Sequence, residues 1–132
     1  MALEAVNPAT GEKIKTYPEM TLDEVESRID RAEQAFADWK ARAFSERAEL
    51  MKKAAGVLRD KAGEFARLMA LEMGKPVRDG RPEIEKCAWV CDHYAEQAEA
   101  MLSPEIISTG AGKSYVTFQP LGIVLAVMPW NY

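Results

Sequence analysis

The sequence predicts an α/β fold built as a β-hairpin, three amphipathic helices, a second, projecting β-hairpin and the first strand of a parallel sheet. Three observations carry that prediction. Apolar residues recur at spacings of three and four from Thr21 to Leu102, the period of helices with one buried face. Short extended pieces separated by turn residues lie on both sides of that helical block. The run Gly122-Ile-Val-Leu-Ala-Val-Met128 has no polar face at all, so a strand formed there must be covered on both sides, as parallel strands of α/β sheets are.

The elements follow in chain order. Asn7-Pro-Ala-Thr-Gly11 is a dense turn signal between Leu3 to Val6 and Lys13 to Tyr17, which predicts a hairpin. Thr21 with Glu24 three residues on forms a capping box, and Leu22, Val25, Ile29, Ala32, Phe36 and Trp39 make the apolar stripe of the first helix. Ser45 is expected to open the second helix, with Leu50, Ala54, Val57 and Leu58 on one face. A weak point at Lys61 to Gly63 precedes Phe65, Leu68, Met69 and Met73, and Gly74 with Pro76 ends the stretch. The third helix is expected from about Pro82 to Leu102, burying Ile84, Cys87, Cys91, Tyr94, Ala98 and Met101. Beyond Pro104 the period changes. Ile106 and Ile107, the glycines around Ala111, and Tyr115 to Gln119 read as a β-hairpin; Pro120 interrupts, and the apolar strand follows.

Composition narrows the function. The chain has 17 basic and 21 acidic residues, mixed along the helices, and a net charge of -4, so neither a nucleic-acid nor an anionic-membrane surface is expected. Small soluble partners fit better. The start carries an acid and no long apolar stretch, and no segment approaches the ~20 apolar residues of a membrane span, so the expected compartment is the cytoplasm. Two cysteines four apart on a helix suit a reduced interior.

Candidate chemistry is sparse. Cys87, Cys91 and His93 are the obvious nucleophile or soft-metal residues, but zinc wants about four ligands and this region offers three. At roughly 100° per residue, Cys91 and His93 point about 160° apart and Cys87 and His93 about 120°, so neither pair makes a dyad. Core cysteines and a surface histidine are the expected reading, with no metal site. The helical carboxylates are interleaved with cations, as Glu24 with Arg28 and Glu49 with Lys53, and read as solvated faces. Gly110-Ala-Gly112 fits a hairpin turn better than a dinucleotide fingerprint, which belongs between a strand and a helix.

The turn Met128-Pro-Trp-Asn131 is different. Ligands of open α/β sheets sit just past the carboxyl ends of the strands, which is where this turn falls. Proline turns the chain out of the strand, tryptophan offers a flat surface, and the asparagine amide can donate where negative charge develops. Because a parallel strand needs neighbours reached through crossover helices, and none follows, the chain reads as the opening part of an enzyme.

With these residues in view, the chain resembles the amino-terminal portion of an NAD(P)-dependent aldehyde dehydrogenase. The carrying motifs are Asn7-Pro-Ala-Thr-Gly-Glu12, Phe36-Ala-Asp-Trp39, Glu72-Met-Gly-Lys-Pro76 and Gln119-Pro-Leu-Gly-Ile-Val124 running into Met128-Pro-Trp-Asn-Tyr132, all in the family's order. Within the family the segments are most similar to the bacterial succinate-semialdehyde dehydrogenase group. The resemblance implies a Rossmann-like sheet of which residues 121-132 form the first central strand and active-site turn, behind a hairpin and helical layer of the cofactor-binding domain at 1-103. It also implies that 104-120 is the hairpin through which the family assembles homo-oligomers, dimers or tetramers.

The same resemblance implies the site. Asn131 becomes the side-chain donor to the oxyanion formed when a cysteine thiolate attacks an aldehyde; Met128, Pro129 and Trp130 run along the nicotinamide ribose; Tyr132 lines the substrate channel. The family's nucleophilic cysteine, general-base glutamate and most of its NAD or NADP site lie downstream, and Cys87 and Cys91 do not stand at the nucleophile's position. The chain alone is therefore expected to be inactive and to bind no cofactor tightly. Two other readings are a non-catalytic helical module that self-associates or binds a full-length relative through open strand edges, and a metal or redox module using Cys87 and Cys91.

Overall fold

A computed structural model of the chain describes residues 2–110 and 112–128. Strands β1 (Leu3–Val6) and β2 (Lys13–Tyr17) pair antiparallel, Leu3 opposite Tyr17, with the register slipping between Ala5 and Val6. The turn uses each residue of its motif. The Asn7 side chain accepts from Ala9 N at 2.9 Å, Gly11 N donates to Asn7 O at 2.8 Å, and Asn7 N closes the loop on Glu12 O at 2.9 Å. Gly11 holds φ +74°, the left-handed region that glycine enters without cost.

Four helices follow, one more than expected: α1 (Leu22–Ala41), α2 (Phe44–Asp60), α3 (Ala62–Met73) and α4 (Val77–Met101). The second expected helix is in fact two, because the weak point at Lys61 breaks it: Lys61 sits at φ -101°, ψ 13°, outside helical geometry. At the start of α2 the cap is Ala43 rather than Ser45. Glu46 accepts from the Ala43 backbone N at 3.0 Å, leaving Ser45 inside the first turn. The last helix starts at Val77, five residues before Pro82. Proline at a first helical position would have marked the start, but Pro82 lies within α4, so an earlier turn precedes it.

Helices α2 and α3 both lie along α4, and the centre of that contact is made of small residues. Ala55, Ala66, Ala88 and Gly80 are buried, with Ile84 the one large aliphatic among them. A methyl group on Gly80 would stand 3.1 Å from the Ala66 Cα and 3.2 Å from the Met69 Cε, so α3 and α4 cross at backbone contact. The buried stripe of α4 is therefore Gly80, Ile84 and Ala88. Cys87 is exposed, contrary to the core reading, and Tyr94 and Met101 are also exposed; Cys91 and Ala98 are half-buried. On α2 the inward residues are Ala48, Met51, Ala55 and Leu58, while Leu50, Ala54 and Val57 face out. Across the top of the helices, Arg59 joins α2 to α4 through Glu85 at 2.9 Å and Asp92 at 2.7 Å.

Gly74 ends α3 in the left-handed conformation, φ +73°, and Pro8 of the first hairpin turn lies against it. Lys75, next in chain, pairs with Glu83 on α4. Beyond α4, β3 (Glu105–Ile106) and β4 (Tyr115–Val116) form a two-residue antiparallel pair, extended by the bond from Ile107 N to Ser114 O. The second hairpin is thus where the sequence places it, though short.

The final segment departs from expectation. Residues 121–128 carry no strand assignment, and Leu125 is 91% exposed. Hydrogen-bonded neighbours define a strand, and neither edge of this segment has one among the described residues. The same openness shows in total surface. The chain exposes 10738 Å², whereas a compact monomer of its mass would expose roughly 6,900 Å². Much of the excess is apolar. Helix α1 buries no residue, and Leu22, Val25, Ile29 and Trp39 of its stripe are exposed. Among the described residues no helix is long and apolar enough to cross a membrane.

Candidate active-site approach

The approach to the expected site is set by how the chain leaves the helices. Phe118, Gln119 and Pro120 settle into a cleft with Phe36 and Trp39 of α1, Phe44 and Arg47 of α2, and Leu102 after α4. Gly122 then takes φ +133°, a backbone conformation that side chains resist, and the apolar run swings into solvent from Ile123 onward. The Gln119-Pro-Leu-Gly segment therefore anchors the run at its start.

Of the expected site residues, Met128 is 76% exposed. Pro129, Trp130, Asn131 and Tyr132 lie outside the described residues. The cysteine and histidine candidates form no constellation. His93 is half-buried between aromatic rings, 5.7 Å from Trp89 and 5.3 Å edge-on to Tyr94, and among the described residues no group of three His, Cys, Asp or Glu side chains could hold a metal ion.

Electrostatics are perturbed at two structural places. The Thr21 backbone N–H and hydroxyl hold the Glu24 carboxyl below its ordinary range, the N–H being the larger influence. The hydrogen bonds Arg59 donates to the Glu85 carboxylate, and then to that of Asp92, hold its guanidinium above its usual value. Both are devices of the fold. Sequence reasoning missed Arg47, whose guanidinium lies 4.2 Å over the Phe44 ring; the signal was present as Phe44 and Arg47, three apart on one helix.

The geometry defines an α/β framework whose last apolar segment has no paired strand among the described residues, and its kinship is clear. Over residues 1–132 the chain matches the Aldehyde dehydrogenase family, and it belongs to that family. It is 41% identical over 132 residues to the probable NADP(+) succinate-semialdehyde dehydrogenase of a Synechocystis species, covering all of this chain and 29% of that protein. Among solved structures it superposes on an NADP dependent enzyme of E. coli with a TM-score of 0.89 at 32% identity, covering 99% of this chain and 27% of that one. It also superposes on the succinic semialdehyde dehydrogenase of Streptococcus pyogenes, solved with NADP+, with a TM-score of 0.81 at 26% identity, covering 86% and 25%. The chain thus spans under a third of the length of these relatives. Its fold is the amino-terminal α/β portion of the superfamily: hairpin, helical bundle and second strand pair.

Proposed function

We propose that the complete enzyme to which these residues belong oxidises an aldehyde, succinate semialdehyde foremost, to its carboxylic acid with NAD or NADP. The observation that carries this reading is the family match along the whole chain, joined to 41% identity with a protein named for that reaction. Residues 1–103 serve as the outer layer of the cofactor-binding domain, 104–120 as the hairpin of a homo-oligomer, and 121–132 as the first central strand and its active-site turn, in a cytoplasmic protein.

Asn131 donates its amide N–H to the oxyanion that forms as the aldehyde carbonyl becomes tetrahedral. Met128, Pro129 and Trp130 present backbone and a flat ring beside the nicotinamide ribose, and Tyr132 narrows the substrate channel. The nicotinamide, when bound, supplies the hydride acceptor.

The test is Asn131→Ala in the complete enzyme, with reduced nicotinamide followed by absorbance. Turnover should fall by on the order of 10²–10³ while KM changes little, as for loss of one oxyanion donor. Unchanged turnover would remove Asn131 from this role. The chain by itself, mixed with NAD, NADP and several aldehydes, should form no reduced nicotinamide, and any rate above background would refute its inactivity. The excess apolar surface also favours self-association of the isolated chain. Sedimentation showing a well-folded monomer would count against that second reading.

A further inference from the structure

We propose that Gly122 is a positioning residue for the reaction: its backbone sets the direction in which the apolar run leaves the helices, and through that run it places the side chain of Asn131. The inference rests on the reading of Asn131 as the oxyanion donor. Gly122 stands where a held segment meets an unheld one. Before it, residues 118–120 line one cleft with Phe36, Trp39, Phe44 and Leu102, and Gly122 itself borders that cleft. After it, Val124, Leu125 and Val127 are exposed, and no strand pairs with the run among the described residues. The helices thus fix the chain as far as Gly122, and the torsions there decide where the run goes.

Conformation, not space, calls for glycine at this point. A Cβ added to Gly122 would meet nothing within 4 Å, unlike one added to Gly80. Its φ of +133° is the constraint. Gly11 and Gly74 also have positive φ, at +74° and +73°, but those values fall near the left-handed region that asparagine can enter. Gly122 lies well beyond that region, the one described residue to do so, where a side chain on the α-carbon is resisted on torsional grounds alone.

Leverage gives that torsion its weight. Paired as a strand in the complete enzyme, the stretch from Gly122 to Met128 reaches about 20 Å, at ~3.3 Å per residue. Over that reach a change of direction of about 3° moves the far end by about 1 Å, and a displacement of that size at a reacting centre costs on the order of a hundredfold in rate. Alanine at this position would have to leave +133° by tens of degrees to reach a favoured region. The sheet would absorb part of that turn, and the rest would appear as misplacement of the donor. Alignment to an oxyanion is the interaction most sensitive to such a shift, because its hydrogen bond weakens steeply with angle.

The test is a double-variant cycle in the complete enzyme: Gly122→Ala, Asn131→Ala and the two combined, with kcat, the KM for cofactor and aldehyde, and the unfolding temperature of each. Gly122→Ala should lower kcat about ten- to a hundredfold and change either KM by less than about threefold. The combined variant should turn over within about threefold of Asn131→Ala alone, since a group already removed cannot be misplaced. A glycine that serves stability alone would lower the unfolding temperature and leave kcat per folded enzyme at the parent value. That result, losses that multiply in the combined variant, or a Gly122→Ala enzyme that does not fold would overturn the proposal. If Asn131→Ala is impaired and Gly122→Ala is not, this inference alone fails; if Asn131→Ala turns over like the parent, the reading of Asn131 fails and takes the inference with it.

Discussion

Gly80→Ala and Gly56→Ala are the same substitution in two helices, and the structure gives them opposite signs. Either alanine gains about 0.5–1 kcal/mol of helix stability, because glycine loses more backbone freedom on folding. At Gly56 the added methyl meets nothing within 4 Å, so the gain stands. At Gly80 it meets the Ala66 Cα and Cβ, both at 3.1 Å, and the Met69 Cε at 3.2 Å. The methionine end can swing aside, but the Ala66 Cα is backbone, so α3 must move away from α4. Overpacking of this kind costs about 1–3 kcal/mol, which leaves Gly80→Ala about 0–2.5 kcal/mol less stable than the parent. Urea unfolding followed by far-UV circular dichroism should place the two variants on either side of the parent midpoint. A Gly80→Ala midpoint at or above that of Gly56→Ala would refute the backbone-contact account of this crossing.

Other substitutions probe the remaining joints. Gly74→Ala forces a side chain into the left-handed region at φ +73° and towards the Pro8 ring at 3.1 Å; it should cost about 1–3 kcal/mol in the same unfolding assay. Thr21→Ala should cost about 0.5–2 kcal/mol of cap stability, read as faster amide exchange in the first turn of α1. The depressed Glu24 pKa means its cap contribution is fully present above the unfolded-state value and is lost as pH falls through the folded value. An acid titration of α1 helicity should show that loss, and Glu24→Gln should flatten it. Cys87, exposed, should react with a thiol reagent before half-buried Cys91, and equal rates would contradict their placement.

What the sequence revealed follows from which forces are local. The Asn7 to Glu12 turn and the Thr21–Glu24 box are satisfied by residues within five positions of each other, so both were legible. Which face of α2 turns inward was not, because that helix carries apolar residues on two sides, and the side that won is the one whose Ala55 permits close approach to α4. Large residues drew attention, yet Ala55, Ala66, Ala88 and Gly80 occupy the centre, since a tight crossing excludes bulk. Cys87 misled for the same reason: it lies one position from buried Ala88 and so points away from the contact. At the candidate site, pattern alone singled out the apolar run, while the turn expected after it lies outside the described residues. No strand pairs with that run among the described residues, so Ile123 to Met128 stand exposed where burial was expected.

The meeting of Pro8 with Gly74 ties the first motif of the chain to one more than sixty positions later. The leading ribbon has a berth only after α3 has stopped at its glycine, so the ribbon's placement reports on completion of the helix rather than on anything in its own strands. Hydrogen exchange should accordingly find β1 and β2 opening together with the end of α3, as one unit that loosens while the α2–α4 crossing stays shut.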